Sequence, residues 1–218
     1  QGTLMTAAYH ARLVELTAAR GNLCVGVDPH EPLVRAWGYD YDLVGLERVS
    51  RGLVEAIGDQ VAVFKPQAAF FECFGAPGMQ VLARVLADIA QAGALSILDV
   101  KRGDIGSTMA AYSRAYLSGQ TDLTADAITI SPFLVFGSLG PAVELAHQTG
   151  RGLYVLCRTN PDVPKHMGLT MFIVPLKTEG VTVIEVADKT PWVEACKETI
   201  ESNTKDQAEL YAQLVNLQ

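Results

Sequence analysis

Residues 95–108 read LSILDVKRGDIGST. The apolar run at 95–98 has strand length, and charged side chains follow within six residues, among them Asp99, Lys101 and Asp104. Gly103 and Gly106 free the backbone just past the run, and Ser107 is placed to cap the helix that follows. Side chains two apart on a strand share a face, so Asp99 and Lys101 are expected to point together. A lysine beside a carboxylate at a strand's C-terminal end is where parallel α/β proteins assemble their chemistry. The same spacing also suits an ordinary solvated ion pair, so the rest of the chain must decide.

The flanking sequence repeats the pattern. Residues 4–19 carry apolar positions at helical spacing, and 23–27 form a short strand that Pro29 closes, leaving Asp28 at its tip. A helix is expected over 42–58 and a strand over 61–64, tipped by Lys65 and Pro66. The next helix, 78–92, sets Val81, Leu82, Val85, Leu86 and Ile89 on one face and ends at Gly93. After the strand at 95–98 come a helix at 107–118 and a strand at 127–130 tipped by Ser131. A helix at 138–149 follows, with Pro141 near its start and Gly150 past its end, and then a strand at 153–157 tipped by Arg158 and Thr159.

Repeated strand-then-helix units imply parallel strands, because a crossover helix is what joins them. Polar residues stand at each tip: Asp28, Lys65, Asp99, Lys101, Ser131 and Thr159. That recurrence suits a (β/α)8 TIM-type barrel, whose site is assembled from several strand ends. A doubly wound sheet would carry a glycine-rich phosphate turn after its first strand, and GVDPH at 26–30 is not one.

Composition narrows the function classes. At 218 residues the chain can bury a substantial core. A net charge of −7 with no basic run argues against a nucleic-acid surface. No apolar run approaches about 18 residues and no signal pattern opens the chain, so no membrane role and a cytoplasmic setting are expected. Cys24, Cys73, Cys157 and Cys196 lack metal-ligand spacing, and Cys24 and Cys157 read as buried thiols within strands. No metal site and no cofactor motif are expected.

Four segments then carry a likeness: LCVGVDPH at 23–30, VAVFKPQAAFFE at 61–72, ILDVKRGDIGSTMAAY at 97–112 and SPFLVFGSL at 131–139. Together they resemble the orotidine 5'-phosphate decarboxylase family, in its longer bacterial type, from about residue 4 to 161. The resemblance implies conversion of orotidine 5'-phosphate to UMP in pyrimidine biosynthesis, by a homodimer with shared active sites. It implies that Asp28 holds the ribose hydroxyls and that Lys65 links the ribose to the carboxylate array. Asp99 would face the departing carboxylate, and Lys101 would deliver a proton to C6. Asp104 would reach into the partner's site with Ile105 and Thr108, and Ser131 would contact the pyrimidine. The chemistry agrees: decarboxylation here leaves a carbanion with no adjacent electron sink, so preorganised charge must stabilise it.

Past residue 161 the likeness stops. The family's glycine-rich loop and phosphate-gripping arginine have no counterpart in 162–218, a stretch without any arginine. Residues 166–180 faintly resemble a strand region of acyl-CoA dehydrogenases, and 180–198 the C-terminal part of TRAP-type solute-binding proteins. Read from the residues, 169–176 and 181–186 are β-rich runs around a turn at 178–180, and 191–215 is a polar amphipathic helix. The expected division is therefore decarboxylase-like units over 1–161 and a divergent segment over 162–218, fused or mis-assigned. Two other functions follow from this: a catalytically incomplete barrel that binds nucleotide weakly, or a related, metal-dependent sugar-phosphate decarboxylase, against which the segment KPQAAFFE argues.

Overall fold

Apolar residues sit on both sides of the strands, so each strand must be covered on two faces, and this dictates a helix-backed parallel sheet. The computed structural model describes residues 8–158 and 169–173, all within one unit spanning residues 1–183. The elements run α1 (Tyr9–Arg20), β1 (Cys24–Val27), α2 (Glu31–Ala36), α3 (Leu43–Ile57), β2 (Val63–Pro66), α4 (Ala69–Glu72) and α5 (Gly75–Gln91). They continue through β3 (Leu95–Arg102), α6 (Gly106–Leu117), β4 (Ala127–Ile130), a 3₁₀ turn (Phe136–Leu139), α7 (Gly140–Thr149), β5 (Gly152–Arg158) and β6 (Leu169–Ile173).

Strands β1 to β5 are parallel and lie side by side in chain order. That sequential order belongs to a (β/α)8 barrel; a doubly wound sheet reverses its order midway. Strand β6 departs from the pattern by pairing antiparallel with β5, from Tyr154 opposite Ile173 to Arg158 opposite Leu169. The unpaired edge of β5 offers the hydrogen-bonding groups that β6 takes up. The run expected at 169–176 is thus a strand at Leu169–Ile173, whereas 181–186, the helix at 191–215 and the boundary at 161/162 lie outside the described residues.

One sheet face packs Phe64, Leu98, Ile128, Ile130 and Leu153 against helix residues such as Val81, Leu82, Val85, Ile89, Met109 and Leu117. The opposite face changes character along its length. At the strands' N-terminal ends Val63, Leu95, Ile97, Ala127 and Tyr154 enclose Tyr9 of α1, with Leu13 and Leu16 beside it. Further along β3 on this face come Asp99 and Lys101. The apolar end closes the sheet; the charged end is left for chemistry.

Several expectations are corrected. β2 starts at Val63, because β1 pairing begins with Cys24 opposite Val63, and it includes Lys65 and Pro66. Ser107 is not a cap: α6 begins at Gly106, Ile105 holds the N-cap position, and no side chain caps it. Cys24 is exposed, because β1 pairs only with β2 among the described residues and leaves its other edge open. The side chains of Cys157 and Cys196 lie outside the described residues, as does Thr159.

Candidate active site

Asp99 is the centre, with only 4% of its surface exposed. Its Oδ1 accepts hydrogen bonds from Lys101 Nζ at 2.6 Å and Thr129 Oγ1 at 2.8 Å. Its Oδ2 accepts from Lys65 Nζ and Gln67 Nε2, each at 3.0 Å. Four donors fill the acceptor sites of one carboxylate. Burial by itself would push this carboxyl's pKa up, but the bonds from Lys101, Thr129 and Lys65 outweigh it and hold the group below its ordinary range. Asp99 is therefore a fixed anion flanked by two ammonium groups.

Strand geometry delivers these groups from three neighbours. Lys65 is the penultimate residue of β2 and Gln67 bridges to Asp99 in parallel register, while Thr129 projects from β4. Asp99 and Lys101 do meet, as their spacing predicts, but not by plain alternation. Between Leu98 opposite Ile128 and Arg102 opposite Ile130, β3 advances four residues while β4 advances two. Within this bulge Lys101 adopts φ +46°, a left-handed conformation that a side chain makes costly. The Lys101 amide donates to Thr129 Oγ1 at 2.8 Å.

The remaining predicted residues surround this centre. Asp28 follows β1 directly and folds back over Gly26, where a Cβ would stand 2.5 Å from Asp28 Oδ2. Gly26 is opposite Lys65 in register, so the two tips adjoin, although the Lys65 ammonium pairs with Asp99. Ser131 follows β4, and its amide donates to the Arg102 carbonyl at 2.8 Å. The loop after β3 presses on it so closely that a Cβ on Gly103 would lie 2.1 Å from the Ser131 carbonyl. Asp104 accepts a bond from the amide of Ile105 and forms no ion pair among the described residues. Ile105 and Thr108 are exposed. Asp104, Ile105 and Thr108 thus stand outside the Asp99 network of their own chain.

Beside the network, Gln67, Phe70, Glu72, Lys101 and Arg102 help to line a cleft of about 390 Å³. Arg102 pairs with Glu72 and lies 5.5 Å from the centre of the Tyr112 ring. A larger groove, about 1100 Å³, runs along α3 and α5 past Glu47, Arg51 and Asp88, and contains none of these strand-tip residues. Among the described residues no three His, Cys, Asp or Glu side chains converge as a metal site, and no helix is long and apolar enough to cross a membrane. Gln67 and Thr129 were not singled out from the sequence. Thr129 had a signal: it is the one polar residue inside AITI and lies two before the strand tip.

A carboxylate held between lysines at the C-terminal strand ends defines an α/β protein of the barrel class with a charge-based site. The model of the "Orotidine 5'-phosphate decarboxylase / HUMPS family" matches residues 21–190, and the chain belongs to that family. It is 53% identical over 155 residues to the orotidine 5'-phosphate decarboxylase of Streptomyces coelicolor, covering 71% of this chain and 56% of the relative. To the enzyme of the same name from Salinispora tropica it is 52% identical over 156 residues, with the same two coverages. The chain thus spans a little over half the length of the curated relatives it matches. A crystal structure from Streptomyces avermitilis, named there as a candidate orotidine 5'-phosphate decarboxylase, superposes with TM-score 0.70 at 52% identity, covering 74% of this chain and 58% of that one. The OMP decarboxylase of Leishmania donovani gives 0.58 at 34% identity, covering 71% and 55%.

Proposed function

We propose that the chain decarboxylates orotidine 5'-phosphate to UMP at the Asp99 network. The observation that carries this reading is the buried Asp99 carboxylate held ionised between Lys65 and Lys101. A substrate carboxylate brought against Asp99 meets a like charge, and the binding of remote parts of the substrate offsets that repulsion. The C6–carboxylate bond breaks, carbon dioxide leaves, and the electron pair stays on C6. The Lys101 ammonium delivers its proton there and is re-protonated from solvent. Asp28 takes the ribose hydroxyls and Ser131 the pyrimidine.

The same reading makes the chain a cytoplasmic homodimer with shared sites. Asp104, outside its own network, enters the partner's site with Ile105 and Thr108. Support comes from exposed apolar side chains in the segments that follow β3 and β4: Ile105 is 61% exposed, Phe133 90%, Val135 72% and Phe136 51%. Large apolar side chains so exposed favour burial against another protein surface.

Loss of orotidine 5'-phosphate absorbance on mixing, unaffected by chelators and abolished in Lys101→Ala, is the expected outcome. Absence of turnover at high enzyme concentration would sink the reading. The second reading, nucleotide binding without turnover, is favoured by the lack of any arginine in 162–218, where the resemblance calls for a phosphate grip. Calorimetry with UMP separates the two, because loss of charge-assisted contacts to phosphate weakens binding by about 1.5–3 kcal/mol each.

A further inference from the structure

We propose that Thr129 is a positioning residue: its hydroxyl closes the bulge in β3 and thereby sets Lys101 against Asp99. The proposal rests on the reading of the Asp99 network as the decarboxylation site.

Three observations converge on this hydroxyl. Thr129 is fully buried in the middle of β4. Its Oγ1 accepts the Lys101 amide at 2.8 Å and donates to Asp99 Oδ1 at 2.8 Å, so one atom joins the backbone of the lysine to the carboxylate that its ammonium contacts. Lys101 sits at φ +46° where the β3–β4 register slips, so its amide is held by this side chain at the point where the regular ladder is interrupted. A left-handed non-glycine residue persists only where its surroundings over-determine it. The Thr129 bond supplies that determination. A valine there keeps the shape and loses both bonds; a serine keeps both bonds and loses a methyl.

The groups facing Asp99 are Lys65 on β2, Gln67 just after it, Lys101 on β3 itself, and Thr129 on β4. Thr129→Val removes one of these four donors and frees the Lys101 amide. The expected result is a roughly 10- to 100-fold fall in kcat, the effect of losing one hydrogen bond to a charged group, with KM nearly unchanged. Thr129→Ser is expected to stay within a few-fold of the original chain. Independently of turnover, ¹³C NMR of labelled aspartate reads the Asp99 titration in the full chain: its midpoint rises in Thr129→Val and stays put in Thr129→Ser. Should the valine variant fail to fold, Thr129→Ala takes its place in both measurements.

An unchanged kcat and Asp99 midpoint on loss of the hydroxyl would overturn the proposal, as would a serine variant no better than valine. If the original chain does not turn over orotidine 5'-phosphate, the decarboxylase reading falls. The Asp99 titration then still decides whether Thr129 holds the network.

Discussion

The two ends of one sheet follow opposite electrostatic rules. At the N-terminal ends of the strands buried polar groups are matched to one another: Tyr9 and Tyr154 share a hydrogen bond of 2.7 Å between buried hydroxyls. Nearby, Asp126 pairs with Arg12 at 2.6 Å and accepts bonds from the Ser96 amide and hydroxyl at 3.0 and 3.1 Å. At the C-terminal ends two ammonium groups share one carboxylate, and Lys101 is both half-exposed and left-handed. The closed end gives stability through balance. The open end keeps a half-exposed lysine and a costly backbone, a combination that has a purpose when an anion is to bind.

The largest expected effect lies at the open end. Lys101→Ala removes the proposed proton donor, and turnover of orotidine 5'-phosphate is expected to fall by roughly 10³-fold or more, within the range of general-acid contributions extended by lost charge. Thermal stability should also fall modestly, because the buried Asp99 carboxylate keeps Lys65 but loses its closest ammonium partner. A stopped assay together with a melting curve measures both. A large fall in melting temperature with turnover intact would reverse the roles assigned to the two ends.

Asp126→Ala tests the closed end. It removes one ion pair and two further hydrogen bonds, and the expected loss is about 2–3 kcal/mol of stability. For a chain of this size that lowers Tm by roughly 4–12 °C. No change is expected in kcat, since Asp126 belongs to the opposite end of the strands.

The sequence made the strand tips legible because a clean apolar run ending in a charge has few other readings. Residues 127–130 form β4 as expected, and Asp28, Lys65 and Ser131 stand at or near strand ends, whereas Asp99, expected at a tip, lies inside β3, which runs on to Arg102. What stayed hidden depends on partners. The bulge that brings Lys101 onto Asp99 arises from the register between β3 and β4, which spacing within β3 cannot encode. Thr129 reads as ordinary strand filler, since β-branched residues favour strands anyway. α2 and α4, six and four residues long, are too short to show a helical period. Cys24 looked buried from its apolar neighbours, yet the open edge of β1 exposes it. Tyr9 read only as part of a helix; its partner Tyr154 is 145 residues away.

The smallest expected effect comes from that tyrosine pair, and pH makes it measurable. Burial is the main cause that pushes the Tyr154 phenol up to about 12, and burial likewise raises Tyr9 well above its ordinary value. An acid whose pKa is higher in the folded state favours folding in its protonated form. Its contribution is complete below about pH 10, the unfolded value, and is lost as pH rises toward the folded one. Above pH 10 the unfolded chain has released these two protons while the folded chain keeps them, so stability falls with pH. Tyr9→Phe leaves the Tyr154 hydroxyl without its partner and should cost about 1–2 kcal/mol near neutrality. Between about pH 10 and 12 the variant should lose stability less steeply than the original chain, by close to one proton, or about 1.4 kcal/mol per pH unit. Urea titrations at several alkaline pH values measure both slopes. Equal slopes would mean that the two phenols are not jointly buried, and a change in turnover at pH 8 would mean that the closed end is coupled to the open one.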